Sequence, residues 1–382
     1  MPSHRSENIP PFLVMDVLEK AKELERAGQK VIHLEVGEPD FDTPAGITRA
    51  AGEALARGET HYTHSLGMLP LREAIAAHYA RRYGVTLSPG QIIVTMGTSA
   101  GLMLTLSALL NPGDEMVLSN PTYACYPNFV QYVGGVSAWA STEASDGFAL
   151  HPEAVRERLS QHTQGILINS PANPTGTVLS AAQLKEIAAL GPYVVSDEIY
   201  HGLVYGEREH SILEYTDRAF VLNGFSKLYA MTGWRLGYVI APREFVRPIQ
   251  KLQQNLFICA SSISQFGGLA ALTQHHPEVE QMVAAYDQRR RLMIKGLRDL
   301  GFGVPVEPTG AFYVLADARW LGRKSLELAF DILEKVQVAV APGIDFGSNA
   351  EGFLRFSYAN SMENIGAAFE RLRMYLASYC KS

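Results

Sequence analysis

The feature that most constrains this chain is a series of six short apolar runs of strand length. They are "IIVTMG" (92–97), "EMVLSN" (115–120), "GILINS" (165–170), "YVVSDE" (193–198), "AFVLNGF" (219–225) and "RLGYVI" (235–240). Helical patterns stand before or between some of them. "AGITRAAGEALARG" and "LPLREAIAAHYARRYG" carry apolar residues at helical spacing and end at glycine. "TSAGLMLTLSALLNPG" reads as a helix stopped by Pro112 and Gly113, and "SAAQLKEIAALG" as another. Fully apolar strands alternating with helices imply a mainly parallel sheet between helical layers, an α/β fold. In such sheets ligands bind beyond the carboxyl ends of the strands. The polar residues just after these runs are therefore the candidates for chemistry.

The texture changes after about Gln274. "EVEQMVAAYDQRRRLMIKGLRDLG" reads as one long helix, and its "RRR" (289–291) as a solvated face. His275-His276 reads as an exposed turn. "AFYVLAD", "SLELAFDILEKV", "VAVAPG", "FLRFSYA" and a terminal helix follow and suggest a smaller α+β unit. We expect a large domain over 44–274, with 1–43 and 275–382 forming the smaller one. The first 43 residues are too short to fold alone and should dock on that unit or bridge the two.

Composition narrows the function. The 382 residues are 47% hydrophobic, enough for a large core, and the formal net charge is −6. No basic stripe offers a surface to nucleic acid. The longest apolar region, Leu102 to Leu110, falls far short of the roughly 20 residues that span a bilayer, so no membrane association is expected. The start has no basic region followed by an apolar run and a small-residue cleavage site. Cys125, Cys259 and Cys380 are scattered, with neither disulfide nor zinc spacing. A reducing, cytoplasmic setting is the expectation. His61 and His64 stand three apart without a third ligand, so no metal is expected.

Four strand ends carry the candidates. "GTSAG" (97–101) leads from strand to helix, and its small residues, with Thr98 and Ser99, suit an anion at a helix N-terminus. "NSPANPTG" (169–176) can be a turn, or can present Asn173 to a cleft. Asp197 in "SDEIY" can cap a helix or hold a positive charge. Ser226 and Lys227 in "GFSK" stand at an apolar strand end, where a lysine is costly unless paired or deprotonated. Neither G-x-S-x-G nor S-x-x-K surrounds them, so a serine hydrolase is disfavoured.

These motifs together resemble the class I/II aminotransferases, pyridoxal-phosphate enzymes of fold type I. "SDEIY", "FSKLYAMTGWRLGY" and "NSPANPTG" carry the resemblance, with "VGEPDFDTP" (36–44), "HYTHSLGMLPLRE" (61–73), "NPTY" (120–123), "GAFYV" (310–314) and "LRFSYA" (354–359) in order. It covers roughly residues 30 to 360. The resemblance implies that Lys227 is the Schiff-base lysine and that Asp197 pairs with the pyridinium nitrogen. It implies that Tyr200 and Asn173 hold the phenolic oxygen and that Tyr123 stacks on the ring. Thr98, Ser99, Ser226 and Arg235 would hold the phosphate, joined by Tyr62 from the neighbouring subunit of a homodimer. Arg355 would clamp the substrate α-carboxylate, with Gly37 beside it.

The expected function is a ping-pong transaminase exchanging an amino acid and a 2-oxo acid. An aspartate/2-oxoglutarate enzyme is the runner-up, a β-lyase on the same fold the next, and a cofactor-retaining binding protein the last. Some aspartate-directed relatives carry a lysine where this chain has Ser99. With Phe12, Val14 and Tyr313 as side-chain lining by family position, an apolar or aromatic donor is expected.

Overall fold

The computed structural model describes residues 1–379; Cys380 lies outside them. Twelve strands occur among these residues. They are β1 (Ile32–His33), β2 (Ile92–Thr95), β3 (Glu115–Asn120), β4 (Val136–Ser141), β5 (Thr163–Asn169) and β6 (Tyr193–Asp197), then β7 (Ala219–Gly224), β8 (Gly237–Ile240), β9 (Tyr313–Asp317), β10 (Val338–Ala339), β11 (Ala341–Pro342) and β12 (Phe353–Ser357).

The main sheet has seven strands in the order β2-β8-β7-β6-β5-β3-β4. From β7 to β4 every pairing is parallel. β8 runs antiparallel to both β2 and β7. Five of the six apolar runs form inner strands; the sixth, β2, is the edge strand opposite β4, yet it is buried at every position, as is β8. Helices Leu69–Tyr83 and Gly97–Leu109 pack against the sheet in two separate apolar clusters. The parallel α/β expectation is met. β4 was not anticipated. It lies at the sheet edge, with Val136 and Trp139 exposed, so its composition lacks the apolar signature of the inner strands.

A second sheet, β11-β12-β9, is antiparallel and packs against helices Pro277–Asp299 and Ser325–Val336, on which Met362–Tyr379 packs in turn. The N-terminal segment reaches two distant stretches of the chain. β1 pairs in parallel with β10. Further along, Thr43 donates to Ala230 O at 2.7 Å and accepts from the Trp234 indole at 3.0 Å.

Two surface expectations need correction. Only Arg291 of the triple-arginine run is solvated. Arg289 pairs with Asp40 at 2.7 Å, and Arg290 pairs with Asp287 and donates to Pro308 O. Asp40 comes from the distant N-terminal segment, so helical periodicity alone does not reveal the partner. His276 is buried, with Nε2 at 3.0 Å from Ala270 O, while His275 is exposed. A helix C-terminal carbonyl gives that ring a buried partner.

Candidate active site

Strands β2, β5, β6 and β7 release their chain toward one cavity of about 280 Å³. It is lined by Thr98 and Ser99 after β2, Asn169 and Asn173 at β5, and Asp197 and Tyr200 at β6. Ser226, Lys227 and Arg235 enter after β7, and Gly37, Tyr123, Tyr313 and Arg355 complete the wall. Of the residues singled out from sequence, only Tyr62 is absent from the lining. It is exposed on the outside of this chain. A larger groove of about 600 Å³, lined by Tyr205, Leu228 and Val283, contains none of these residues.

Lys227 stands at the centre. Its Nζ donates to Gly37 O at 2.6 Å. Burial lowers its amine to about 8; Arg355 and Arg235 push the same way, while Glu38 and Asp197 oppose them. A lysine so placed has an accessible neutral form and can act as a nucleophile or base near neutral pH. Gly37 has no room for a side chain, since a Cβ there would stand 1.9 Å from the Tyr313 hydroxyl. That close approach is what lets a backbone carbonyl reach the lysine.

Asp197 and Glu198 are adjacent and buried, but strand alternation separates them. Asp197 lines the cavity, with Oδ2 accepting from Tyr126 at 2.8 Å and Oδ1 from Ile199 N at 3.0 Å. Glu198 is absorbed by Tyr79, Ser196, Ser211 and Ile212 N. Burial raises Asp197 to about 6, against the pull of its two donors. A cation placed beside it in the cavity would return it firmly to the carboxylate form.

One end of the cavity is built for an anion. Thr98 and Ser99 open the helix Gly97–Leu109, whose first amides have no intrahelical partner. Arg235 comes back to this place through a turn in which Ala230 and Arg235 both have positive φ. Its guanidinium donates to Thr232 O at 3.0 Å. Gly97 has φ +80°, and a Cβ there would lie 2.9 Å from the Arg235 guanidinium. The glycine is thus required by both conformation and close approach.

At the other end is Arg355, 1% exposed on β12. It lies between the rings of Tyr313 and Phe346, 4.3 and 4.8 Å from their centroids. It donates to Asn173 Oδ1 at 2.8 Å and to Glu35 O. Its Nε is buried without a partner, and no carboxylate pairs with the guanidinium among the described residues. A buried cation held only by neutral oxygens is a receptor for an anion.

Two polar lining residues that hydrogen-bond Asp197 escaped sequence reasoning, as did the apolar Met15, Val36 and Ile199. Asn169 donates to Asp197 O at 3.0 Å and accepts from Asn173 N at 2.8 Å, which fixes the β5–β6 strand ends together. It is a polar residue ending an apolar run, the same signal that marked Asp197. Tyr126, the partner of Asp197, lies at the start of a short helix and has no comparable local signal.

The sequence matches the family described as aminotransferase class I and II over residues 29–372. It is 43% identical over 381 residues to the (5-formylfuran-3-yl)methyl phosphate transaminase of Methanocaldococcus jannaschii, covering 98% of this chain and 100% of that one. It is 38% identical over 382 residues to the aspartate/prephenate aminotransferase of Thermus thermophilus, with 98% of each chain covered. Among solved structures, Thermus thermophilus aspartate aminotransferase with maleate superposes with a TM-score of 0.94 at 38% identity, over 98% of this chain and 99% of that one. A Methanococcus jannaschii structure, described as similar in its active site to kynurenine aminotransferases, has a TM-score of 0.91 at 43% identity, covering 98% and 100%. With the strand-end lysine, the buried acid and the unpaired arginine in one cavity, the chain belongs to the class I and II aminotransferases of fold type I and is a transaminase.

Proposed function

We propose that this transaminase works with pyridoxal 5'-phosphate and favours an apolar or aromatic amino donor, with 2-oxoglutarate or pyruvate as acceptor. The donor set fits that cofactor. Thr98, Ser99, Ser226 and Arg235 would take its phosphate, Asp197 its ring nitrogen, Tyr200 and Asn173 its phenolic oxygen, and Lys227 its aldehyde carbon. Tyr123 would lie against the ring. When bound, the cofactor supplies the carbonyl that receives the amino group and a ring that withdraws electrons from the substrate α-carbon.

The protein's own residues do the rest. Arg355 binds the α-carboxylate through its free Nε and so orients the donor, with Gly37 beside it. Asp197, as a carboxylate, keeps the ring nitrogen protonated. Lys227 Nζ removes the α-proton and returns it elsewhere, a task that suits an amine near 8. We read 44–274 as the unit that holds the cofactor, and 1–43 with 275–382 as the unit that brings Arg355. Tyr62, Leu69, Met96, Leu256 and Ile258 are exposed large apolar residues. They support a homodimer in which Tyr62 of one copy reaches the phosphate end of the other. Cys125 and Cys259 are free thiols, which suits a reducing cytoplasm. No helix among the described residues is long and apolar enough to cross a membrane.

One observation carries the donor preference. Among the described residues, the only cations lining the cavity are Lys227, Arg235 and Arg355, and all three are assigned. The remaining wall includes Phe12, Val14, Met15, Val36 and Ile199. An unpaired distal carboxylate buried there costs several kcal/mol, whereas a missing methylene contact costs only about 1–3 kcal/mol. The runner-up, aspartate as donor, is favoured by the names of relatives such as the Geobacillus stearothermophilus aspartate aminotransferase, 35% identical. The deciding measurement is kcat/KM for alanine, leucine, phenylalanine, tyrosine and aspartate under one set of conditions. Phenylalanine or leucine should lead; aspartate ahead of all others by tenfold or more overturns the preference. Donor given without acceptor should be consumed once per site, and continuous ammonia release would instead indicate a lyase.

A further inference from the structure

The helix Leu13–Arg26 begins over the cavity, and its own N-cap residue, Phe12, cannot cap it. The first amides of a helix have no intrahelical acceptor. Here they find one from the far end of the chain. Leu13 N donates to Asp345 Oδ1 and Val14 N to Asp345 Oδ2, each at 3.0 Å. A carboxylate taking both amides also matches the positive end of the helix dipole.

The consequence falls on the cavity roof. Phe12 and Val14 line the cavity on either side of the anchored amide of Leu13. Phe12 meets Tyr123 edge-on, with ring centroids 6.1 Å apart, and Val14 is buried with Ala124, Ala341 and Phe346. The residue after Asp345 is Phe346, whose ring lies 4.8 Å from the Arg355 guanidinium. Its carbonyl accepts from Thr122 N at 2.8 Å, next to Tyr123. One turn, Gly343–Phe346, therefore touches both the roof and the carboxylate-binding arginine. The two effects are separable, because the direct hydrogen bonds of Arg355 go to Asn173 and Glu35.

We propose that Asp345 is a positioning residue for donor selectivity: by anchoring Leu13 and Val14 it holds Phe12 and Val14 as the apolar roof over the donor side chain. The proposal rests on the apolar-donor reading above. Without the carboxylate the first helical turn frays, and the roof no longer packs on a large side chain. The α-carboxylate contact remains, so a small donor with little to pack against the roof loses much less. The charge of Asp345 near Arg355 affects every donor alike and cancels in a ratio of donors.

The test compares phenylalanine and alanine as donors in the cofactor-loaded wild type, Asp345→Ala, Asp345→Asn, Phe12→Ala and the double variant Asp345→Ala with Phe12→Ala. In Asp345→Ala the phenylalanine-to-alanine ratio of kcat/KM should fall about tenfold, mostly through the KM of phenylalanine, within the range of a lost apolar contact. Asp345→Asn keeps one acceptor oxygen and should fall in between. Phe12→Ala should lower the same ratio, and the double variant should lower it little further, because both changes remove one roof. Binding of 3-phenylpropionate, a non-reacting analogue, should weaken in parallel. Equal losses for both donors, or an unchanged ratio with weakened turnover, overturn the proposal and leave Asp345 a structural cap. A wild type that prefers aspartate overturns the donor reading and this proposal together. A wild type that prefers phenylalanine, with variants that keep the preference, overturns the proposal alone.

Discussion

The two ends of the cavity are built in different ways. The end around Lys227 and Asp197 comes from loops that leave neighbouring strands of one sheet. Its framework is the β5-β6-β7 ladder, in which Asn169 pairs with Asp197 and Asp197 with Leu222. The end around Arg355 is assembled from segments far apart in sequence: Glu35, Asn173, Tyr313, Phe346 and the arginine itself. The first end inherits its geometry from regular backbone. The second depends on side chains that hold one another, so it should respond more gradually to substitution and to pH.

Removing chemistry from the sheet end should have the largest effect. Lys227→Ala is expected to lower kcat by at least about a thousandfold, since nucleophile and proton carrier are lost together. The tertiary structure should survive, because the side chain makes its hydrogen bond only to Gly37 O. Single-turnover conversion of donor measures the loss. Borohydride treatment of the loaded wild type, followed by peptide mapping, should place the label on Lys227. Label on another lysine would reassign the site.

At the assembled end the expected effect is smaller and of another kind. Arg355→Lys keeps the charge but loses the planar fork that reaches Asn173 Oδ1, Glu35 O and a bound carboxylate at once. We expect kcat/KM to fall about 100-fold, most of it in KM, since charge-assisted bidentate contacts are lost from a buried site. The decline should be similar for alanine and phenylalanine. A loss confined to kcat would mean that Arg355 does not bind the ground-state carboxylate.

The difference between the two ends also explains what could be read from the sequence. Lys227, Asp197 and Asn173 follow apolar strands, so local pattern and one topological rule located them. Arg355 lies inside β12 and reads locally as any strand arginine; family resemblance, not pattern, marked it. Nothing in "APGIDFG" announces that Asp345 caps a helix more than 300 residues earlier in the chain. Arg289 was misread for the same reason, its partner Asp40 being remote. β4 and the helices Arg243–Leu256 and Ser262–Thr273 were passed over. The first helix carries Pro248 in its interior, a residue that in sequence argues against a helix. Local chemistry is visible in order along the chain, whereas tertiary partners are not.

The smallest effect expected concerns the support beneath Arg355. Glu35, whose carbonyl accepts from Arg355, has a side chain with no solvent exposure. Its Oε1 lies 2.7 Å from His33 Nδ1, and the other ring nitrogen lies 3.1 Å from Glu25 Oε1. Lys22 in turn holds Glu25 at 2.8 Å. A neutral imidazole can donate to only one of the two carboxylates, whereas the imidazolium donates to both. The hydrogen bond that His33 donates to Glu35 accordingly raises the His33 pKa above its ordinary value, against the opposing effect of burial, with Glu25 adding to the rise. The sign follows directly. A histidine whose folded pKa is raised contributes stability that is complete below its unfolded value, about 6.5. That contribution is lost as pH climbs through the higher folded value. His33→Gln, which retains a single donor group, should therefore melt below the wild type at pH 6 and approach it at pH 9. A gap of about 1–3 °C at pH 6 is the scale expected for a contribution near 1 kcal/mol in a chain of this size. Thermal unfolding of both proteins across that range, read by circular dichroism, gives the answer. A gap that stays constant or widens with pH would show that the imidazolium does not support Glu35, and the assembled end would then draw no pH dependence from His33.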